Sequence, residues 1–208
     1  MRLLGLVMAG GRGCRMALRT EKPMLLVGGV PMVRRVVDAL RGAPSISKVC
    51  AAVSPYTPET KKYLNSLGNV IIIDTPGLGY HDDMRFAVKE MGMECFLTVS
   101  ADLPLLSPRV VESVALAYKR VGKPSLVVAA PLRLFSELGL LPTYVIERDG
   151  ERFVPCGINV IDGREIDKPY IEEGICIIDD PSVCMNVNTV SDLRAAESYL
   201  RIRMDKPS

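Results

Sequence analysis

Histidine is nearly absent from this chain of 208 residues, in which His81 is the only one. The six cysteines are scattered along the chain, and none of them forms a C-x-x-C pair. Protein zinc sites are built mainly from clustered cysteine and histidine, so we expect no zinc site. Catalysis of the Ser/His/Asp or Cys/His type could only centre on His81, and no G-x-S-x-G or similar context supports it.

Long apolar runs and a strong net charge are also missing. No apolar run approaches the roughly 18 residues that a membrane-spanning helix needs. The net charge of +2 is too small to suggest a nucleic-acid partner or an acidic lipid surface. No charged leader with a cleavage site precedes the first apolar run, so we expect a cytoplasmic protein. An apolar content of 48% allows a core of useful size, and the length favours one domain over residues 1–208.

A glycine-rich stretch with the sequence M-A-G-G-R-G-C-R-M occupies residues 8–16. It follows the apolar run from Leu3 to Met8, which is typical of a buried parallel strand. Glycines at a strand end let the backbone approach a ligand and direct amide N–H groups at phosphate oxygens. The stretch matches neither the G-x-x-x-x-G-K-[ST] phosphate loop nor the G-x-G-x-x-G dinucleotide loop. With the E-K-P triplet at residues 21–23 close behind, it predicts a site for a nucleoside triphosphate.

Strand-like and helix-like segments alternate from residue 3 to about residue 131. This alternation favours a parallel sheet with helices on both faces. Beyond it, residues 143–154 predict a β-hairpin with Asp-Gly as its turn, and Pro155 to Ile161 predicts a further strand. We therefore expect an α/β fold: a Rossmann-like three-layer sandwich with a mainly parallel sheet and a small β-hairpin insertion.

Smaller expectations concern the helix caps and the mobile parts of the chain. Thr57 precedes Pro58 and has the side chain of a good N-cap for a helix over residues 59–67. Residues 134–142 and the final few residues are the candidates for mobile segments.

Ligands of open α/β sheets bind beyond the carboxyl ends of the parallel strands. Loops at such ends should therefore converge on one cleft. The predicted loops of this kind span residues 9–22, 54–58, 74–79 and 100–104.

Three charged residues are candidates for the chemistry at this cleft. Asp102 ends an apolar strand, where a carboxylate beside a triphosphate could hold Mg²⁺. Lys22 could neutralise charge that grows on the α-phosphoryl group in the transition state. Arg15 is the better candidate for a bidentate grip on the outer phosphates. Asn188 could add a second metal contact. A turn aspartate, a surface lysine and an N-capping asparagine remain the structural alternatives.

The motif of residues 8–16, with Glu21-Lys22-Pro23, resembles the MobA-like nucleotidyltransferases. Further stretches resemble, more narrowly, the archaeal GTP:adenosylcobinamide-phosphate guanylyltransferases. These are S-P-Y-T-P-E-T at 54–60, D-T-P-G-L-G-Y at 74–80, G-I-N-V at 157–160 and N-V-N-T at 186–189. The resemblance covers residues 3 to about 200. Asn188 stands where some relatives have the aspartate of an N-x-D pattern.

The resemblance implies transfer of GMP from GTP to adenosylcobinamide phosphate, with Mg²⁺ as cofactor and a homodimer left open. The catalytic candidates are Lys22, Arg15 and Asp102, and the metal candidates are Asp102 and Asn188. The motifs and the resemblance together give the nucleotide-binding candidates Met8, Ala9, Gly10, Gly11, Gly13, Ser54, Thr57, Asp74, Thr75, Gly77, Gly79, Gly157 and Asn159.

Other functions stay open at this point. The acceptor could be another phosphate, such as molybdopterin, phospholactate or a sugar phosphate. A non-catalytic GTP-binding module and a scaffold domain are the alternatives that involve no turnover.

Overall fold

The computed structural model describes residues 2–13, 20–142 and 144–204. Its strands are β1 (Leu3–Met8), β2 (Leu26–Val27), β3 (Val30–Pro31), β4 (Ile46–Val53), β5 (Ile71–Asp74), β6 (Cys95–Ser100), β7 (Ser125–Pro131), β8 (Ile146–Arg148), β9 (Glu151–Asp162) and β10 (Glu173–Ile177). Its α-helices are α1 (Met32–Arg41), α2 (Pro58–Ser66), α3 (Tyr80–Met91), α4 (Pro108–Val121), α5 (Leu132–Glu137) and α6 (Val190–Met204). None of these described helices is long and apolar enough to cross a bilayer.

One mixed sheet carries the fold, in the strand order β10-β7-β9-β6-β1-β4-β5, with β8 paired to β9. Strand β9 runs antiparallel to both β6 and β7, and β8 is antiparallel to β9, whereas the other pairs are parallel. The predicted fold class, a mainly parallel α/β sandwich with a hairpin, is confirmed. Because β6, β1, β4 and β5 are adjacent and parallel, the loops that follow them meet at one edge, as expected.

Alternate residues of the central strands pack into two separate cores. Along β1, Val7 belongs to one core and Leu6 to the other, and both are fully buried. Strand β6 repeats the pattern with Leu97 and Phe96. Side chains of a strand alternate between the faces of its sheet, so the two cores lie on opposite faces. The second core is closed by α3 through Met84 and other apolar residues of that helix.

The segment from Glu151 to Asp162 is one strand, not the two that the sequence predicted. Pro155 pairs opposite Ala129 of β7, where the register of that ladder shifts. A proline cannot donate to a ladder, and a bulge tolerates it without ending the strand. The predicted hairpin turn is confirmed at Asp149 and Gly150, both of which have positive φ. Thr143, the first residue of the predicted hairpin, lies outside the described residues.

Two short segments differ from the expectations. Residues 134–142 were expected to be mobile, but α5 extends to Glu137 and the side chains of Phe135 and Leu140 are buried. The small antiparallel pair of β2 and β3 was not predicted. Gly28 and Gly29 form its turn with φ values of 58° and 72°, the conformation of a two-residue type I′ turn.

Candidate functional site

A cleft of about 310 Å³ opens at the carboxyl edge of β1 and β6. Its position follows from the sheet, because Ala9 donates its N–H to Ala52 of β4 and Ala101 donates to Met8 of β1. We call it the first cleft. Its described lining residues are Met8, Ala9, Gly11, Gly13, Lys22, Pro23, Ser100, Ala101, Asp102 and Asn188.

The glycines of the loop after β1 have distinct structural roles. A Cβ on Gly10 would lie 3.1 Å from the Cβ of Ser54, so the loop packs closely against the neighbouring strand end. Gly13 has a φ of 61°, and a Cβ there would lie 3.3 Å from the Cβ of Lys22. Gly11 has no such neighbour within 4 Å and lines the cleft. The loop therefore needs glycine for packing and for conformation, and it exposes bare backbone to the cleft.

Backbone amides supply the donors that a phosphate would need. The N–H of Ala9 is already bonded to Ala52, so it is not available to a ligand. Those of Gly10, Gly11, Arg12 and Gly13 donate to no group among the residues that the structure describes. The predicted amide cradle is therefore restricted to residues 10–13. Arg15, the predicted phosphate-gripping residue, lies outside the described residues.

Lys22 lies at the centre of the first cleft and joins distant parts of the chain. Its Nζ donates to Oδ2 of Asp102 at 2.5 Å and to Oδ1 of Asn188 at 2.9 Å. The side chains of Lys22 and Asp102 are only 18% and 15% exposed. An ammonium group has three N–H donors. The described residues use two of them, which leaves one for a ligand in the cleft.

The segment before α6 is fixed to Asp102 by both backbone and side chains. Val187 donates its N–H to the backbone carbonyl of Asp102, and Asn186 donates Nδ2 to Oδ1 of the same residue at 3.1 Å. The side chain of Val187 is fully buried between the two asparagines. Alternation in an extended segment therefore turns Asn186 and Asn188 together towards the cleft.

A second cleft, of about 290 Å³, adjoins the first and shares Met8, Gly11 and Ser100 with it. Its described lining residues are Met8, Gly10, Gly11, Arg12, Ala52, Tyr56, Thr75, Gly77, Leu78, Gly79, Tyr80, Asp83 and Ser100. The guanidinium carbon of Arg12 lies 4.4 Å from the ring centroid of Tyr56, and Nη2 of Arg12 donates to the Tyr56 hydroxyl. Because these groups flank a space next to the amide cradle, the second cleft suits a planar base.

Asp83 fixes the loop that forms the far wall of the second cleft. Its Oδ1 accepts from the N–H of Gly77 at 2.9 Å and of Leu78 at 3.2 Å, and the residue is only 4% exposed. The Gly77 amide is therefore occupied and is not available to a ligand. Gly77 has a φ of 77°, and a Cβ there would lie 2.7 Å from Cε2 of Tyr56.

The structure separates the remaining nucleotide-binding candidates into lining and supporting residues. Thr75 lines the second cleft, and its Oγ1 donates to Val53. Asp74 instead forms an exposed ion pair with Lys61 and lines neither cleft.

Ser54 and Thr57 support the glycine loop from behind. Oγ of Ser54 donates to the carbonyl of Gly10 at 2.6 Å, and the Ser54 N–H donates to Oγ1 of Thr57 at 3.1 Å. Thr57 is the N-cap residue of α2, as predicted, but its side chain makes no cap bond to that helix.

Tyr80 closes the base of the second cleft. Its hydroxyl lies 3.4 Å from Oγ1 of Thr98. Burial raises the pKa of the Tyr80 hydroxyl, and hydrogen bonds with Thr98 and Asn159 partly offset that shift. Asn159 is thus placed beside Tyr80, opposite Thr98 in the sheet. Gly157 has a φ of 69° and lies close to Ser100 and Asn186, near the junction with the first cleft.

The family model described as "MobA-like NTP transferase domain" matches residues 5–150, which include the glycine loop, Lys22 and Asp102. The chain belongs to the MobA-like NTP transferases. Its place in this nucleotidyltransferase family agrees with the resemblance drawn from its motifs.

Individual relatives support the family assignment. The chain is 33% identical over 205 residues to an adenosylcobinamide-phosphate guanylyltransferase from Methanocaldococcus jannaschii, covering 94% of this chain and 96% of that protein. It is 29% identical to a molybdenum cofactor guanylyltransferase from Cereibacter sphaeroides, over 97% of this chain and 98% of that one. Among solved structures, a CMP:2-keto-3-deoxy-manno-octonic acid synthetase complexed with CTP superposes with a TM-score of 0.73 at 13% identity. That match covers 98% of this chain and 100% of the other.

Sequence reasoning missed several cleft residues of this MobA-like chain. Tyr56 and Tyr80 lie inside motifs that were noticed, but no role was given to either side chain. Asn186 could have been found from the alternation in N-V-N, which places both asparagines on one side of an extended segment. The bonds of Asp83 were also not predicted, because nothing local indicates that a carboxylate in the first turn of α3 accepts from the preceding loop.

Removal of the Asp83 carboxylate tests its role in holding the wall of the second cleft. Asp83→Ala should leave two amides without their acceptor and lower the free energy of unfolding by about 1–3 kcal/mol. Hydrogen exchange should show loss of protection at Gly77 and Leu78. The neighbouring variant Asp82→Ala, whose side chain is exposed, should change stability by less than about 0.5 kcal/mol. Unchanged protection in Asp83→Ala would show that the wall does not depend on this carboxylate.

Proposed function

We propose that the protein is a guanylyltransferase that transfers GMP from GTP to adenosylcobinamide phosphate, giving adenosylcobinamide-GDP and pyrophosphate. The choice of nucleotide and acceptor rests on the likeness to the Methanocaldococcus jannaschii enzyme along nearly the full length of both chains. The placement of Lys22 between Asp102 and Asn188, beside open backbone amides, is the geometric observation that carries the chemistry.

The triphosphate would bind the amides of residues 10–13 and extend into the first cleft. Backbone N–H groups at a strand end are well suited to anionic oxygens. The guanine would enter the second cleft, between the Arg12–Tyr56 pair and the loop held by Asp83. A base with a π face gains from stacking on aromatic and guanidinium planes. Tyr80 would present its hydroxyl at the base of that cleft.

The reaction would be an in-line displacement at the α-phosphorus. An oxygen of the acceptor phosphate forms the new P–O bond, and the bond to the β-phosphate oxygen breaks, releasing pyrophosphate with its electron pair. A phosphate monoester has a second pKa of about 6 and is largely dianionic near neutral pH, so no general base is needed. Lys22 would direct its remaining N–H at the α-phosphoryl oxygens, where negative charge grows.

The residues of the first cleft also fit a divalent cation. Asp102 and Asn188 keep oxygen lone pairs that do not accept from the Lys22 ammonium, so both side chains could also face a cation beside it. Mg²⁺ prefers oxygen ligands and usually completes its shell with phosphate and water. No cluster of three or more His, Cys, Asp or Glu side chains occurs among the described residues, so such a cation would depend on the substrate for further ligands. When bound, it would neutralise phosphate charge.

Charge balance supports a need for that cation. Among the described lining residues of the first cleft, Lys22 contributes one positive charge and Asp102 one negative charge. These charges cancel, whereas a triphosphate brings several negative charges. We therefore propose that GTP binds together with Mg²⁺.

Turnover assays test the proposed reaction. With GTP, Mg²⁺ and adenosylcobinamide phosphate, the protein should release pyrophosphate, and ATP should replace GTP poorly. Lys22→Met should lower kcat by about 10²–10³-fold, because a charge-stabilising donor is lost in the transition state. Lys123→Met is the matched control, because Lys123 contacts Glu173 at the opposite edge of the sheet, and it should keep wild-type turnover.

Other outcomes of the same assay would favour a different function. Pyrophosphate release with molybdopterin but not with adenosylcobinamide phosphate would show that molybdopterin is the acceptor. A rise in melting temperature with GTP, but no turnover with any phosphate acceptor, would indicate a binding module.

Direct metal titration tests the proposed cation site without turnover. Mn²⁺ shares the preference of Mg²⁺ for oxygen ligands and can be followed by electron paramagnetic resonance. Because the Lys22 ammonium repels a cation that shares Asp102 and Asn188 with it, Lys22→Met should bind Mn²⁺ at least about tenfold more tightly than the wild type. Arg12→Met removes a cation of equal charge that contacts neither Asp102 nor Asn188 and should change affinity by less than about twofold. An equal gain of Mn²⁺ affinity in both variants would argue against a cation site formed by Asp102 and Asn188.

A further inference from the structure

Helix α2 begins without a cap from its own sequence neighbours. Thr57 stands at the N-cap position, but its hydroxyl is engaged with Ser54. The first amides of a helix lack partners inside the helix and need an acceptor from elsewhere. The acceptor for α2 therefore has to come from another part of the chain.

The carboxylate of Glu21 is that acceptor. Its Oε1 accepts from the N–H of Glu59 at 2.8 Å. Its Oε2 accepts from the N–H of Thr60 at 2.7 Å and from the Thr60 hydroxyl at 2.6 Å. Thr60 is fully buried. A carboxylate at a helix N-terminus also interacts favourably with the helix dipole, so this three-bond contact is a firm anchor.

This anchor fixes the residue immediately before Lys22. A 3₁₀ turn spans Lys22–Met24, and Met24 donates its N–H to the carbonyl of Glu21. Pro23 is buried within that turn. The direction in which the Lys22 side chain leaves the backbone is therefore set by a turn whose N-cap residue, Glu21, is bonded to α2.

The start of α2 also holds the other end of the glycine loop. Ser54, which precedes α2 and is bonded to Thr57, donates its hydroxyl to Gly10. The segment that follows β1 therefore contacts the start of α2 at two points, Gly10 and Glu21. The N-terminal end of the amide cradle and the residue before Lys22 thus have one common support, which fixes their positions relative to each other.

We propose that Glu21 is a positioning residue: its carboxylate, bonded to the N-terminus of α2, sets the place of Lys22 between Asp102 and Asn188. The consequence for turnover rests on the proposed guanylyltransferase reaction. The consequence for the Lys22 side chain does not, and it can be measured on the protein alone.

The chain provides a matched control for a merely structural role. Glu112 uses its two oxygens in the same way, accepting from the N–H and the hydroxyl of Ser45, each at 2.8 Å. Ser45 directly precedes β4 and therefore lies at the edge of the sheet opposite the clefts. Glu21→Ala and Glu112→Ala remove equivalent contacts, but only the first should disturb Lys22.

The experiment measures the reactivity of the Lys22 amine with limiting acetic anhydride, by mass spectrometry, with Lys123 as internal reference. Glu21→Ala should raise the relative labelling of Lys22 about fivefold, because the amine would leave its two oxygen partners. Glu112→Ala should leave it unchanged. Glu21→Gln keeps the length of the side chain but turns an NH₂ towards one of the α2 donors, so an intermediate increase in Lys22 labelling is expected. This variant also allows the test if Glu21→Ala does not fold.

Kinetics supply the second readout. Glu21→Ala should lower kcat by about 10–100-fold with little change in KM for GTP, because a misplaced catalytic group costs rate more than binding. Unchanged labelling of Lys22 in both Glu21 variants, or an equal rise in Glu112→Ala, would overturn the proposal. Absence of turnover in the wild type would instead count against the proposed reaction, and the labelling result would still decide the role of Glu21.

Discussion

The ion pair between Lys22 and Asp102 holds together segments that are far apart in the chain. Asp102 is fixed by the end of β6 and by the backbone of Val187, and Asn188 completes the partners of the ammonium. A mostly buried ion pair is weak evidence for stability, because desolvation costs offset much of the attraction. Its value here is geometric. It places one cation beside an exposed glycine backbone, where a phosphate ligand can use both.

The topology of the sheet explains why this arrangement arises. Strands β6, β1, β4 and β5 are parallel neighbours, so each contributes a loop to the same edge. The first cleft takes Lys22 and Asp102 from the loops after β1 and β6, and Asn188 from the segment before α6. The second cleft takes its walls from the loops after β4 and β5. In the proposed reaction, phosphate chemistry and base recognition would be separated in space and would share the glycine loop as a common border.

Local patterns predicted much of this structure. An apolar run predicted β1, and strand-end positions predicted that Lys22 and Asp102 lie near each other. Contacts between distant residues had no such signature. Glu21 bonds to α2 and Asp83 bonds to the loop before α3 through backbone amides. Nearly every residue has such an amide, so the sequence does not show which ones a carboxylate will meet. Pro155 suggested a strand boundary because proline cannot donate to a ladder. The bulge that accommodates it depends on the neighbouring strand, which the local sequence does not reveal. Such features follow from tertiary packing, which a single sequence does not encode locally.

In the proposed reaction, the amides of residues 10–13 hold the triphosphate while Lys22 acts on its reacting phosphorus. The most direct test is a crystal structure with Mg²⁺ and a GTP analogue whose α,β-bridge is a methylene group. Phosphate oxygens should lie on the amides of Gly10–Gly13, and the Lys22 Nζ should lie within about 3 Å of an α-phosphate oxygen. A nucleotide bound outside the two clefts, or an α-phosphate beyond the reach of Lys22, would contradict it.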